Sequence, residues 1–255
     1  MRKEKVIKIS IILILIIAVV LIINFVPTFK LKTKNMKLIK GNWLELYYEK
    51  EEAAALDAFN YAEKKAEYLC KKLALKQKYK IKVFIYDKQS TFQTKKYGLV
   101  ALLLNLDWYI GDNVGSTVIL TSPANPGKVH TYESVKETLP HEMVHAYQYL
   151  INPRMKKWLK EGVALYLTNG GQLKRGDLQR LKIPTYEDIQ TENPVKFANI
   201  NGYTFADKYI EYLDRKYGWS KILQLIKTND CKKVFNKTAK EIYNEWVEYL
   251  YAYYN

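Results

Sequence analysis

Cysteine and histidine are both scarce in this 255-residue chain, which has two cysteines, Cys70 and Cys231, and three histidines. Two cysteines cannot form a disulfide framework or a cysteine-rich zinc module, although one bridge between them remains open. Any metal site must therefore use other ligands. Disordered, collagen-like and low-complexity classes are also excluded, because apolar residues make up 48% of the sequence and supply ample material for a buried core.

Acidic residues are fewer than basic ones, and the formal net charge is +15. The imbalance is strongest at the N-terminus, where residues 1–40 contain nine Lys or Arg and a single acid, Glu4. Membrane insertion and tethering explain this excess more simply than a polyanion-binding surface, since no motif of arginines and aromatic residues typical of nucleic-acid binding is present. We therefore expect no nucleic-acid partner.

One long hydrophobic run lies near the N-terminus. Residues 9–23 are apolar except for Ser10, and the flanking apolar residues extend the run to the roughly 20 residues that span a bilayer. No small-residue cleavage site follows, which favours an uncleaved signal anchor over a removed signal peptide. We predict a basic tail at 1–8, a transmembrane signal anchor at 9–26 and a basic tether at 27–40. Lysines flank both ends, but the position of the run favours a single-pass protein of the cell membrane with its body outside the cell.

The remaining sequence predicts an α+β body. A three- and four-residue apolar periodicity indicates a long amphipathic helix at 51–75, and β-rich runs indicate strands at 81–86 and 115–122, whereas 99–106 fits either a strand or a helix. Further helices are predicted at 131–151, 154–168, 205–217, 221–227 and 237–254. This order favours an N-terminal α/β lobe at 41–130, followed by a helical lobe at 131–255.

Two of the three histidines stand four residues apart, in the sequence HEMVH at 141–145. On a helix, residues four apart lie on one face, so the imidazoles of His141 and His145 can converge on one metal ion. Glu142 points about 100° away, beside such an ion but not on it. This is the position of a general base acting on water, whereas the alternative is a helix with two ordinary surface histidines.

A catalytic zinc site normally takes three protein ligands. Gln148 and Ile151 stand where a metzincin would have Gly and His, so that arrangement is excluded. Glu161 follows His145 by sixteen positions, on a second predicted helix that is entered through a turn at 152–153. A short turn there would fold this helix back beside the first, so we predict Glu161 as the third ligand.

These residues resemble the gluzincin metallopeptidases, in which HExxH on one helix is joined by a glutamate on the next. The string WLKEGVA at 158–164 looks like the corresponding stretch of gluzincin aminopeptidases, while the short interval and helical tail are closer to the bacterial peptidase MA-like proteins. The resemblance covers residues 130–255. It implies a gluzincin-like body in which His141, His145 and Glu161 bind one catalytic zinc ion and Glu142 is the general base. It also implies that 117–122 is an edge strand for an extended peptide, although the run fits an interior strand equally well.

Pro140 directly precedes the first histidine, and proline lacks an N–H and crowds the preceding turn. The helix must therefore begin or bend there. Either residues 134–137 form a capping box for a helix that is kinked at Pro140, or the helix starts near Thr138 with Pro140 in its first turn. Both alternatives keep the two histidines on one continuous turn.

A hydrolytic zinc site also needs a donor for the developing oxyanion, commonly Tyr or His. The candidates are Tyr203 at the predicted start of a helix and His130 ahead of the metal helix. Tyr203 is preferred, because gluzincins often carry a tyrosine entering this helix. A tyrosine that merely packs is the competing interpretation.

Together these features predict a membrane-anchored extracellular zinc peptidase that hydrolyses peptide or protein substrates with zinc-activated water. Exopeptidase action is not supported, because no recognisable motif for binding an amino terminus is present, so we expect an endopeptidase. The alternative is a catalytically inactive zinc-binding surface domain that acts in binding or scaffolding. No feature of the sequence indicates an oligomeric state.

Overall fold

The computed structural model of the protein describes residues 2–171 and 173–255, with side chains from residue 5 onward. Its helices and strands, in chain order, are α1 (Arg2–Phe25), β1 (Lys37–Lys40), β2 (Leu44–Tyr48), α2 (Glu52–Lys72), β3 (Ile81–Tyr86), α3 (Gln89–Tyr97), β4 (Gly111–Val114), β5 (Thr117–Thr121), α4 (Tyr132–Ile151), α5 (Lys157–Thr168), α6 (Pro194–Asn199), α7 (Gly202–Tyr217), α8 (Trp219–Thr228), α9 (Cys231–Phe235) and α10 (Ala239–Tyr254). The predicted α+β class is confirmed. The chain divides into a first unit of residues 1–61 and 82–137 and a second unit of residues 62–81 and 138–255.

Helix α1 is exposed on all sides. Its apolar stretch, Lys5–Phe29, contains an 18-residue segment with a mean hydropathy of 3.4 and has no buried residue. A helix that packs on a soluble core would bury one stripe of its surface, and residues 5–25 of α1 include no buried side chain. It is long and apolar enough to be a membrane span or signal anchor. The helix also runs through residues 2–8, which the sequence analysis assigns to a basic tail.

The strands of the described residues form a five-stranded sheet in the order β1-β2-β3-β5-β4. Strand β3 pairs with β5 in parallel, while β1 with β2 and β4 with β5 are antiparallel. Strand β5 is therefore interior, and the edge-strand alternative for 117–122 is wrong. The reason is the hairpin with β4, which covers the outer side of β5 and turns at Gly115 with φ of +62°.

Strands β1, β2 and β4 were not predicted from the sequence. Residues 37–40 were assigned to a tether, but they form β1 and pair along β2, where Ile39 lies opposite Leu46. Leu44, Leu46 and Tyr48 alternate along β2 and are buried, and this burial holds the hairpin on the sheet. The predicted tether therefore ends in a strand.

A cluster of buried side chains forms a core within the first unit: Met36, Phe84, Tyr86, Phe92, Tyr109 and Ile119. The hydroxyl of Tyr86 donates a hydrogen bond of 2.7 Å to the backbone carbonyl of Leu31. Leu31 itself packs against the same cluster. The chain that leaves α1 is thus attached to the core of this unit.

Residues 99–106 are neither a strand nor an α-helix. Helix α3 ends at Gly98, which has φ of +80° and whose N–H bonds to the carbonyl of Thr94. A 3₁₀ turn, Leu99–Leu103, follows. The strand alternative is wrong, and the helix alternative holds only for this short 3₁₀ turn, because Gly98, with its positive φ, changes the chain direction before the leucines begin.

Aromatic side chains dominate the core of the second unit. Trp246 of α10 is fully buried and meets the rings of Trp158, Phe205 and Tyr209 edge to face.

The five predicted helices after residue 130 are confirmed as α4, α5, α7, α8 and α10, with shifted ends. The short helices α6 and α9 were not predicted, since six and five residues are too few to show a periodicity. Cys70 and Cys231 are both free thiols.

Glu245 of α10 accepts hydrogen bonds from four side chains of the second unit: Tyr212, Lys216, Tyr217 and Lys237. Burial tends to raise the pKa of this carboxyl, but the four donors outweigh it and lower the pKa to about 2. A carboxyl with a depressed pKa stabilises the fold above its unfolded pKa, and this contribution is lost as the pH falls towards 2.

We therefore expect Glu245→Gln to reduce the free energy of unfolding at pH 7 by about 1–2 kcal/mol, after allowance for partial solvent exposure. Urea unfolding of the full chain in detergent, at pH 7 and pH 3, measures it. The reduction in the free energy of unfolding should be smaller at pH 3, because the carboxyl of Glu245 contributes less to the stability of the fold at that pH. Glu248→Gln, at an exposed carboxyl of the same helix, is the control, and an equal loss for Glu245→Gln at both pH values would contradict this role.

Candidate metal centre

Helix α4 carries both histidines of the predicted site and runs without interruption through Pro140. Its N-terminus is capped at Thr131, whose Oγ1 accepts a hydrogen bond from the N–H of Ser134, while the Oγ of Ser134 accepts one from the N–H of Thr131. The helix thus passes through the proline, as in the first predicted alternative, but the reciprocal cap lies at 131 and 134 instead of 134 and 137. Proline costs one backbone hydrogen bond here, and the remaining helix keeps the histidines in register.

A turn held by Asn152 separates α4 from α5. Its N–H bonds to the carbonyl of Gln148, its Oδ1 accepts from the N–H of Arg154, and its Nδ2 donates to the carbonyl of Ile226 on α8. These three bonds hold the turn to the end of α4, to the residues that follow it and to α8. The direction in which α5 leaves the turn is therefore set by hydrogen bonds and not by packing alone.

Gly162 allows α5 to lie directly on α7. A Cβ at this position would stand 2.5 Å from the carbonyl oxygen of Ala206 and 2.9 Å from the Cγ1 of Ile210. No side chain fits in that space, so only glycine permits this approach. Further along the two helices the hydroxyl of Tyr166 bonds to Asp214 at 2.8 Å. Because Glu161 is the neighbour of Gly162, this close packing fixes its position as well.

The three predicted ligands come together. The Oε2 of Glu161 lies 3.2 Å from the Nε2 of His145 and 3.5 Å from the Nε2 of His141. One donor atom from each residue falls within 4.8 Å of the others. His145 and Glu161 are buried, at 5% and 6% exposure, and His141 is partly buried. The His-His-Glu group could therefore hold a metal ion.

The two distances from the carboxylate oxygen of Glu161 to the histidine nitrogens match those around a tetrahedral ion. For zinc bonds of 2.0–2.2 Å, neighbouring ligand atoms of a tetrahedron are separated by about 3.3–3.6 Å. The two measured nitrogen-to-oxygen distances, 3.2 and 3.5 Å, lie at or near this range. Two imidazole nitrogens and a carboxylate also form a donor set used by catalytic zinc sites.

Gln148 orients one of these ligands. Its Nε2 donates to the carbonyl of Lys160, which leaves its Oε1 to accept from the Nδ1 of His145, at 2.8 Å. Since Nδ1 then carries the proton, the Nε2 of His145 presents a lone pair towards the carboxylate of Glu161. Two acceptors at 3.2 Å repel each other unless a cation lies between them. Either a proton or a metal ion satisfies this arrangement.

The charges of the site reinforce one another. Burial would raise the pKa of Glu161, but the charge of His145 and hydrogen bonds with both histidines hold it well below its usual value. Burial tends to lower the pKa of His141, but the hydrogen bond to Glu161 and the charge of Glu142 raise it overall. Glu161 is thus ionised, whereas an imidazole that carries a second proton has to release it before it can bind a metal ion.

Glu142, the predicted base, is buried beside the ligands, at 7% exposure. It follows His141 on α4, and its charge is close enough to raise the pKa of that imidazole. A second carboxylate thus stands at the site in addition to Glu161.

Tyr203, the predicted oxyanion donor, lies in the first turn of α7 and is 40% exposed. Its ring packs edge to face on Phe197, with centroids 4.9 Å apart. The Nζ of Lys157 lies 5.7 Å from the centre of the Phe197 ring and 3.7 Å from the Oε1 of Glu161. Tyr203 is therefore linked to the ligand group through one ring and one lysine.

His130, the other candidate, lies in the first unit, where its Nε2 bonds to the carbonyl of Trp108 at 2.9 Å.

Gln148 is the site residue that the sequence analysis missed as a functional group. The signal available in the sequence was its position, one helical turn after His145 and on the same face. Its role also depends on the Lys160 carbonyl, which belongs to the next helix and comes close only through the turn at Asn152. It is fully buried, at 1% exposure, and joins the two ligand helices.

We expect Gln148→Met, which keeps the size but removes both hydrogen bonds, to weaken zinc binding by about 10- to 100-fold. Gln148→Glu keeps an acceptor for His145 and should lose less. Competition with a fluorescent zinc chelator measures both affinities. Gln179→Met, at an exposed glutamine of the same unit, serves as the control, and unchanged zinc affinity in the Gln148→Met variant would show that Gln148 only packs.

No protein-family model matches the chain, and no curated protein matches it either. The possible metal-binding triad of His141, His145 and Glu161 therefore rests on the geometry described above.

Proposed function

We propose that this protein is a membrane-anchored, zinc-dependent endopeptidase with a gluzincin-like body outside the cell. The observation that carries the proposal is the convergence of His141, His145 and Glu161 from two helices, with the buried carboxylate of Glu142 beside them. Two imidazoles, a ligand carboxylate and a separate basic carboxylate are the groups that hydrolysis by activated water requires. The predicted substrates are peptides or proteins.

Zinc, when bound, supplies a Lewis acid that polarises the scissile carbonyl and lowers the pKa of water to around 7. His141, His145 and Glu161 hold the ion, and Gln148 keeps the imidazole of His145 in the required orientation. Glu142 accepts a proton from the attacking water and later returns it to the leaving amine. No covalent bond between enzyme and substrate is needed.

Tyr203 is proposed as the donor that stabilises the oxyanion. Its place in the first turn of α7, the helix that packs on α5, favours this role; its ring contacts Phe197, and Lys157 links Phe197 to Glu161. His130 is less suited because its Nε2 already bonds to a backbone carbonyl. We expect Tyr203→Phe to lower kcat by about 10²- to 10³-fold with zinc affinity unchanged. Steady-state kinetics beside Tyr251→Phe, an exposed tyrosine on α10, test it. Unaltered turnover in Tyr203→Phe would assign the residue to packing.

The anchoring part of the proposal is supported by α1, which is apolar all round and exposed along its length. A helix with these properties is stable in a bilayer, where its backbone groups are satisfied internally. The proposed orientation places the body outside the cell. Protease treatment of intact cells should therefore degrade the body, and complete protection would place it inside.

The enzymatic proposal is tested on the full chain, solubilised in detergent and loaded with one equivalent of zinc. We expect internal cleavage in a library of peptides blocked at both ends, loss of cleavage with a chelator, and recovery when zinc is restored. Blocked ends exclude exopeptidases, so internal cuts identify an endopeptidase. A chain that binds one zinc ion but cleaves no member of the library would instead be the inactive zinc-binding domain.

A further inference from the structure

An exposed apolar surface, from which only the buried Ala101 is withdrawn among the residues of its second turn, lies beside the end of α1 in the first unit. It consists of two 3₁₀ turns and the residue after the second, that is Val26–Phe29 and Leu99–Leu103 with Leu104, and is called here the apolar collar. Leu103 is 86% exposed and Phe29 is 82% exposed. Single exposed leucines are normal on soluble proteins, but a contiguous apolar group of this kind marks a contact with another molecule or with a membrane.

The collar is fixed to α1 by hydrogen bonding and close packing. The Oδ1 of Asn24, in the last turn of α1, accepts a 2.7 Å hydrogen bond from the N–H of Val100. Gly98 approaches the same residue so closely that a Cβ would stand 2.3 Å from the carbonyl oxygen of Asn24. Helix α3 contacts both turns of the collar. The leucines are therefore held at the level where the apolar stretch of α1 ends.

Basic residues adjoin the collar. Lys30, Lys32 and Lys34 follow directly after Phe29 and are exposed. The Nζ of Lys95 on α3 donates to the backbone carbonyl of Lys30, which attaches this segment to the same part of the unit. Apolar side chains next to lysines are the pattern of a membrane interface, where the former enter the acyl region and the latter meet anionic headgroups.

We propose that the apolar collar is a second membrane contact, which enters the leaflet from which α1 emerges. Lipid is the occupant that the structure favours, because Val26–Phe29 of the collar continue the apolar stretch that begins at Lys5 in α1. The leucines would hold the first unit against the bilayer instead of leaving it to swing on a tether. This inference rests on the membrane anchoring included in the proposed function, but not on the zinc chemistry.

Spin labelling of the full chain in vesicles of phosphatidylcholine and phosphatidylglycerol tests the proposal. A nitroxide is attached to Leu103→Cys in a chain with Cys231→Ser, since Cys70 is buried. Leu15→Cys in α1 reports the membrane core, and Leu56→Cys, an exposed leucine on α2, is the matched control. We expect the label at 103 to collide with a water-soluble nickel chelate several-fold less often than the label at 56, and with oxygen more often.

Equal collision rates at 103 and 56, with the label at 15 protected, would overturn the membrane contact and leave the anchor intact. A label at 15 that is open to the nickel chelate would overturn the anchoring itself, and with it the contact. If the label at 103 shows dipolar broadening that disappears on dilution with unlabelled chain, a second copy covers the collar and the lipid assignment is wrong. None of these outcomes depends on catalysis, so failure here is distinguishable from failure of the peptidase proposal.

Discussion

Replacing Glu142 by Gln should abolish peptide cleavage while zinc stays bound. The amide keeps the size and hydrogen-bonding reach of the side chain but cannot accept a proton from water at neutral pH. A general base of this kind contributes about 10²- to 10⁴-fold to the rate, so kcat should fall by at least the lower of these factors. The zinc content of the variant should equal that of the unaltered chain, because Glu142 is not one of the three ligands.

The measurement pairs turnover of a cleaved peptide with zinc analysis of the same sample. Glu137→Gln, about one and a half turns earlier on α4 and exposed, is the matched control and should retain both zinc and activity. A Glu142→Gln variant with full turnover would refute the assigned base. If zinc is lost instead, Glu142 acts as a ligand and the ligand set has to be redrawn.

Replacing Glu161 by Ala should remove zinc binding. The carboxylate is the only negatively charged group among the three predicted ligands. Its Oε2 lies 3.2 Å from the Nε2 of His145 and 3.5 Å from the Nε2 of His141. Loss of an outer partner of a ligand costs about 10- to 100-fold in metal affinity, so loss of the ligand itself should cost more than about 100-fold. Addition of zinc should raise the Tm of the unaltered chain but not that of the variant.

Chelator competition and thermal unfolding, with and without zinc, measure this effect on the full chain. Glu248→Ala, at an exposed carboxyl of α10, is the control and should bind zinc normally. Glu161→Gln keeps the buried volume and covers the case in which the alanine variant does not fold. Zinc affinity within a few-fold of the original in both Glu161 variants would exclude this residue as a ligand.

The candidate metal-binding group could be predicted because it depends on local spacing. Two histidines four residues apart share a helix face wherever the helix forms, and the short turn after α4 leaves little freedom for where Glu161 can go. Gln148 was not predicted, because one of its two hydrogen-bond partners is a backbone carbonyl of the next helix. The contact exists only after α4 and α5 have packed, and no sequence pattern records it.

The parts of the fold that escaped prediction depend on distant partners in the same way. Strand β1 carries lysines at both ends and gains its structure from pairing with β2, and β4 is a four-residue edge strand whose partner is β5. The leucines at 99–104 resemble a core element in composition, yet Leu103 is 86% exposed. Hydrophobicity predicts burial only where the chain direction allows it, and Gly98 turns this segment out of the core.

X-ray absorption at the zinc edge, on the full chain loaded with one equivalent of zinc, tests the central claim most directly. The geometry of His141, His145 and Glu161 predicts two imidazole nitrogens and one carboxylate oxygen at about 2.0–2.2 Å, with a light atom completing four-coordination. Sulfur scattering at about 2.3 Å, or a shell of oxygen atoms without imidazole, would show that zinc binds elsewhere and would contradict the account.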